Sequence, residues 1–259
     1  MLPIMKILMI GDVVSQIGCD FLRERLPQFK RENSIDIVIA NGENSAVGNG
    51  ILPASANFLL DSGVDVITTG NHVYKRREIY SYLDENPQVI RPANFPDCCN
   101  GKGYYLYDGG SYQLLVINLI GVSFMEPVNS PFDVIDDILT QVSAKYVLVD
   151  FHAEATGEKK AMGYYLDGKV SAVVGTHTHI QTADDQILPK GTGYITDLGM
   201  TGPIDSVLGV CPESIITRFK THMPTRFEVA EGKCQLNGVI LTLDEKKGLC
   251  KSIIRINLR

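Results

Sequence analysis

Val173-Val174-Gly175-Thr176-His177-Thr178-His179 is a β-branched run that ends in glycine-threonine and then presents two histidines two residues apart. Side chains alternate along an extended segment, so residues i and i+2 aim the same way and both imidazoles would face one direction. The chain has five histidines, and four of them, His72, His152, His177 and His179, sit just past strand-like runs. That placement suggests a metal site, with the other strand ends supplying further ligands.

Working outward, four more apolar runs end in polar groups. Ile4–Ile10 stops at Gly11-Asp12, Ile35–Ala40 at Asn41-Gly42-Glu43-Asn44, Val64–Thr69 at Gly70-Asn71-His72, and Tyr146–Phe151 at His152. The opening motif itself continues the run Val170–Val174. Helical spacing separates these runs: Phe21–Lys30, where Pro27 predicts a separate first turn or a kink, Pro53–Leu60, about Arg76–Leu83, a stripe after Pro131, about Glu158–Tyr165, and a segment past Pro212. Tyr104–Tyr107 and Gln113–Asn118 read as a hairpin across Asp108-Gly109-Gly110-Ser111, and the end reads as antiparallel strands at Phe227–Ala230, Val239–Leu243 and Ser252–Leu258. Strand–helix alternation predicts an α/β fold with a largely parallel sheet. Its strands' C-terminal ends share one edge, where ligand sites form.

Five strand ends thus bring Asp12, Glu43, Asn44, Asn71, His72, His152, His177 and His179 to one edge. Imidazole, carboxylate and amide donors without a thiolate suit Mn, Fe, Zn, Ni or Co better than Ca or Mg. Seven or eight ligands exceed what one ion takes, so two ions sharing Glu43 or Asp12 is the natural count. Each residue has a plainer reading alone: Asp12 as a helix N-cap, Asn71 as a turn residue beside Gly70, His152 as a core histidine. The metal reading rests on the group.

Composition bounds the partners. The 259 residues suit one domain, 1–259, with room for a small cap around 185–230. A formal net charge of −6 offers no general basic surface for long nucleic acid, though it does not exclude a short or cyclic nucleotide at a metal site. Lys75-Arg76-Arg77 is the local exception, and a solvated helix start is the simpler account of it. The six cysteines form no CxxC pair and read as free thiols of a reducing cytosol. With no signal peptide and no membrane-spanning run, a cytoplasmic location is expected. No G-x-G-x-x-G follows the first run, which argues against a dinucleotide site. Homo-oligomerisation through the C-terminal strands is a further expectation.

The spaced set Gly11-Asp12, Gly42-Glu43-Asn44, Gly70-Asn71-His72, His152 and Gly175-Thr176-His177-Thr178-His179 resembles the calcineurin-like metallophosphoesterases. Within them the chain is similar to the YmdB-type bacterial phosphodiesterases, over nearly its whole length. His152-Ala153-Glu154-Ala155-Thr156 and Asp197-Leu198-Gly199-Met200-Thr201-Gly202-Pro203 carry that finer likeness. The resemblance implies a four-layer α/β/β/α sandwich and a di-metal site, holding Fe, Mn or Zn, that hydrolyses phosphodiesters such as 2′,3′-cyclic nucleotides. It implies one ion held by Asp12, Glu43, Asn44 and His179, another by Glu43, Asn71, His152 and His177, and His72 as a catalytic non-ligand. Two departures stand out. Asp12-Val13-Val14 lacks the histidine of the broader Asp-x-His motif, a change the YmdB-type group shares, and Lys75 replaces an acidic residue expected near His72.

Charge dictates the chemistry expected of such a site. Two divalent ions make a bridging hydroxide available at neutral pH and neutralise the phosphate oxygens, while His72 protonates the leaving oxygen. Gly48, Asn49 and Gly50 would let backbone approach the substrate phosphate, and Thr201 would line the site. Two alternatives remain at this point: a regulatory protein that binds a nucleotide or RNA end with incidental turnover, and a di-metal hydrolase of amides or esters.

Overall fold

The computed structural model describes residues 5–110 and 112–259. Its elements run β1 (Met5–Ile10), β2 (Asp12–Val13), α1 (Ser15–Asn33), β3 (Ile37–Asn41), α2 (Pro53–Asp61), β4 (Val66–Thr68), α3 (Ile79–Glu85), β5 (Tyr104–Asp108) and β6 (Gln113–Ile120). They continue with α4 (Pro131–Gln141), β7 (Tyr146–His152), α5 (Thr156–Tyr165), β8 (Ala172–Thr176), β9 (Gln186–Ile187), β10 (Gly193–Ile195) and β11 (Met200–Pro203). The last are α6 (Pro212–Thr221), β12 (Cys234–Leu243) and β13 (Cys250–Leu258).

The strands form two sheets rather than one. The first is ordered β2-β11-β12-β1-β3-β4 with β13 on β12, and the second β5-β6-β7-β8-β10-β9. Alternation along β1 explains the layering. Ile7 and Met9, with Ile37 and Ile39 of β3, bury against Val116, Leu148 and Val174 of the second sheet. Leu8 and Ile10, with Val38 and Ala40, bury instead against Leu22 and Leu26 of α1 and Leu59 of α2. The second sheet turns Ile117, Val149 and Val173 toward Ile135 of α4 and Met162 of α5. Strands buried on both faces read as continuous apolar runs, and the product is an α/β/β/α sandwich. Each fully buried aliphatic side chain contributes about 1.5–3 kcal/mol relative to exposure.

Within the sheets, β1, β3 and β4 run parallel, as do β6, β7, β8 and β10. Antiparallel pairing is confined to β5 on β6, β9 on β10 and the β12 neighbours. A polar seam joins the sheets where the parallel strands end. Asn41 Nδ2 donates to Asp150 Oδ2 at 3.2 Å, and the Thr69 N–H donates to Asn118 Oδ1 at 3.0 Å.

Three sequence expectations need correction. Pro27 neither separates nor ends α1, which begins at Ser15 and runs through it. Pro27 faces solvent, as does Arg23 four residues earlier, so water can satisfy the carbonyl that loses its helical donor. Phe227–Ala230 is not a strand; an isolated bridge between Val210 and Val229 is its only pairing among the described residues. The third helix starts at Ile79, not Arg76. Ile4 and Ser111, in the first expected strand and the hairpin turn, lie outside the described residues. Of the stretch 185–230, β9 and β10 belong to the second sheet and β11 to the first, while α6 buries none of its residues.

Candidate metal centre

The candidate ligands lie at or just past the C-terminal ends of β1, β3, β4, β7 and β8, and the facing of the two sheets brings them together. Glu43 is at the centre and fully buried. Its Oε1 lies 3.2 Å from His152 Nε2 and 3.2 Å from His72 Nδ1, and it accepts from Asn44 Nδ2 at 3.2 Å. On one side His152 Nε2 is 2.9 Å from Asn71 Oδ1 and 3.0 Å from His177 Nδ1. Ligand atoms of Glu43, His152 and His177 all lie within 4.8 Å of one another. On the other side His179 Nε2 is 3.3 Å from Asn44 Nδ2 and 3.6 Å from Asp12 Oδ1.

The outward-facing ring nitrogens determine what the inward ones offer. His152 Nδ1 lies 2.9 Å from Thr176 Oγ1, whose own hydrogen is given to Asp150 Oδ1 at 2.7 Å. The hydroxyl must therefore accept, and His152 Nδ1–H donates. His177 Nε2 faces Glu154 Oε2 at 3.1 Å, and His179 Nδ1 faces the Leu208 carbonyl at 3.1 Å. Neither oxygen has a hydrogen to give, so both rings donate outward. In the neutral tautomer all three histidines then point an unprotonated nitrogen at the Glu43–Asp12 side, the arrangement by which outer partners orient metal-binding imidazoles. Asp12 Oδ1 is buried and has no hydrogen-bond partner among the described residues. A crowd of lone pairs around one buried carboxylate and an orphaned carboxylate oxygen fit cations well and fit a metal-free core poorly.

Titration behaviour agrees with a site short of positive charge. Burial would raise Glu43, but His152 and His72 outweigh it and hold its carboxyl well below the usual range. Asp12 is likewise lowered, burial being outweighed by His179. Burial would lower His152, and the neighbouring Glu43 raises it instead. His177 is lowered by burial and by the adjacent His152. In the seam beneath, burial raises Asp150 to about 6.

His72 also faces Glu43 but, unlike His152, is partly exposed. Its Nδ1 donates to Asn44 Oδ1 at 2.8 Å, and it lines a cavity of about 190 Å³ with Glu43, Asn44, His177 and His179. Asn44 thus shows its oxygen to His72 and its nitrogen to His179, and ligation through oxygen requires the amide reversed. Gly48 and Asn49 line the same cavity. Gly48, Asn49 and Gly50 all have left-handed backbone, with φ of 76°, 72° and 85°. Arg76 Nε donates to the Asn49 carbonyl at 3.0 Å and Arg76 Nη2 to that of Gly48 at 3.2 Å, which pins this loop. Lys75 is exposed, and the described contacts of His72 Nδ1 are Asn44 and Glu43. Thr201 is not at the cavity. It is fully buried in β11, where its carbonyl accepts the Val14 N–H at 2.9 Å. Strand pairing with β2 turns the side chain inward, which corrects the expectation of a substrate contact.

Sequence reading assigned no role to Glu154, Thr176, Asp150, Lys159 or Asp197. Glu154 was visible beside His152, and its placement against His177 depends on the approach of β7 and β8.

Two facing sheets between helices, with carboxylates, amides and histidines gathered at the strand ends, are the arrangement of the calcineurin-like metallophosphoesterases. The chain belongs to the YmdB-like family, whose model, described as "YmdB-like protein", matches residues 8–256. It is 48% identical over 254 residues to the "2',3'-cyclic-nucleotide 2'-phosphodiesterase" of Bacillus subtilis (strain 168), covering 97% of this chain and 96% of that protein. Among solved structures, a hypothetical protein from Thermus thermophilus superposes with a TM-score of 0.93 at 41% identity, covering 98% of each chain. A phosphatase from Mycoplasma pneumoniae superposes with a TM-score of 0.95 at 33% identity, covering 100% of this chain and 94% of the other.

Proposed function

We propose that the protein is a two-metal phosphodiesterase that hydrolyses 2′,3′-cyclic nucleotides. The observation that carries this reading is the set of three outward ring N–H donations, to Thr176, Glu154 and Leu208, which leaves three imidazole lone pairs directed at Glu43 and Asp12. Asp12, Glu43, Asn44 and His179 would hold one ion, and Glu43, Asn71, His152 and His177 the other. Nitrogen and oxygen donors without sulfur favour Fe, Mn or Zn. Ions bound there supply Lewis-acid neutralisation of the phosphate and lower the pKa of a nearby water.

The chain's own residues do the rest. The cavity of about 190 Å³ is small beside ordinary nucleotide pockets, so the phosphate and ribose enter it and the base stays at the mouth. His72, held through Nδ1 by Asn44 and lining the cavity, would protonate the leaving ribose oxygen. The Gly48-Asn49-Gly50 loop, held open by Arg76, lets backbone approach the phosphate. The relative's name supports cleavage of the bond to O2′, which leaves a 3′-phosphomonoester. No helix of the described residues is long and apolar enough to cross a membrane. The six cysteines are free, which supports a cytoplasmic setting.

The test is hydrolysis of 2′,3′-cyclic AMP by protein loaded separately with Mn, Fe(II) or Zn, with products separated chromatographically. The expected product is 3′-AMP. Absence of turnover on any cyclic or linear diester by protein holding two ions per chain would overturn the proposal.

A further inference from the structure

Both histidines of the opening motif have left-handed backbone, φ 99° at His177 and φ 62° at His179. That conformation is unfavourable for a residue with a side chain and persists only where the surroundings impose it. Two carboxylates hold this turn: Asp12 Oδ2 accepts the His177 N–H at 3.1 Å, and Asp197 holds the residue between the histidines. Asp197 Oδ2 accepts the Thr178 N–H at 3.1 Å, the Thr178 hydroxyl at 2.7 Å and Lys159 Nζ at 2.7 Å. Its Oδ1 accepts the Gly199 N–H at 2.8 Å, and the Gly199 carbonyl accepts the Asp12 N–H at 3.1 Å. One side chain therefore ties the residue between the two histidines to the backbone that carries Asp12.

Lys159 and Asp197 are both buried, at 1% and 0% exposure. Lys159 comes from α5 and reaches the seam past Gly175, where a Cβ would lie 2.9 Å from Lys159 Cδ and 1.8 Å from the Thr196 carbonyl oxygen. A buried ion pair is an inefficient source of stability, because desolvation offsets most of its attraction. What this pair specifically provides is a fixed acceptor facing Thr178, with the Lys159 ammonium, 2.7 Å away, holding that acceptor in place.

We infer that Lys159 and Asp197 form a positioning pair that holds His177-Thr178-His179 in its left-handed path and thereby sets the affinity of both metal sites. The inference rests on the metal-site reading given above. Neither residue touches substrate; each acts through the histidines.

The experiment titrates Mn into chelator-stripped wild type, Lys159→Met/Asp197→Asn, Thr178→Val and His177→Ala, with circular dichroism and the metal-free melting temperature recorded for each. The double variant removes both charges together, so no lone charge stays buried. Expected are two ions per chain in wild type, loss of one in His177→Ala, and dissociation constants for both ions raised tenfold or more in the double variant with its spectrum retained. Thr178→Val, which loses only the hydroxyl donation, should weaken both ions about threefold. KM should stay within twofold of wild type while kcat falls at subsaturating metal and recovers at high metal. Wild-type affinity in a folded double variant, whatever its melting temperature, would overturn the inference and leave the metal site standing. If the double variant does not fold, Thr178→Val decides, and unchanged affinity there overturns it. Failure of wild type to take up Mn, Fe(II) or Zn would overturn the metal site and the inference together.

Discussion

Glu43 grips His72 at two points: its Oε2 accepts the His72 backbone N–H at 3.0 Å, and its Oε1 lies 3.2 Å from His72 Nδ1. The proposed bridging ligand therefore also fixes the proposed proton donor, and substitutions at the two positions should separate metal loss from loss of chemistry. His72→Ala should keep two ions and lose about 10²–10⁴-fold in kcat, the usual worth of a positioned acid. Glu43→Gln should lose bound metal. Elemental analysis beside steady-state rates checks both, and equal metal loss in the two variants contradicts the division.

Glu154 should matter through His177. Its Oε2 is 3.1 Å from His177 Nε2, and the side chain is half exposed, so removing its charge leaves the core intact. Glu154→Gln should weaken metal binding about 10-fold, the scale found for outer partners of ligating histidines. Competition with a chromogenic chelator reads this directly, and an unchanged constant would show that the contact orients nothing.

Gly70 is a steric requirement of the centre. A Cβ there would lie 2.3 Å from His152 Nε2 and 2.4 Å from Glu43 Oε2. Gly70→Ala should therefore displace both ligands and abolish uptake of one ion or both, with the circular dichroism spectrum preserved. Full metal content in that variant would mean the loop gives way freely.

The pH dependence of the metal-free protein should carry the signature of His179. Burial would lower this imidazole, but Asp12 outweighs it and the pKa rises to about 9. A histidine raised by folding stabilises the protein fully below its unfolded value of 6.5, and that contribution is lost as pH climbs through about 9. A metal ion must displace the same proton, so uptake at pH 7.5 should release about 0.7 proton more than at pH 9.5. Calorimetric titrations in two buffers of different ionisation heat measure this, and equal proton release at the two pH values contradicts it.

Much of this was legible because strand ends are legible. Val64–Thr69 and Tyr146–Phe151 are largely apolar runs, each interrupted by one aspartate, and the polar residues after each are where a parallel sheet exposes its functional edge. The division into two sheets was less visible in the residues themselves, since strands buried on both faces look alike whether a helix or a second sheet covers them. The family resemblance supplied that layer. Pro27 misled because its cost depends on whether the orphaned carbonyl meets water, and exposure is a tertiary fact. Thr201 misled for the related reason that its neighbours in sequence, unlike its strand partner, give no sign that it points into the core. Lys159 and Asp197 are 38 positions apart and meet only in the folded chain.

The most direct test is a crystal structure with anomalous data collected on both sides of the relevant metal edges. The expected result is two ions joined by Glu43, with His152 and His177 on one, and Asp12 and His179 on the other. A single ion bound by both His177 and His179 would contradict it.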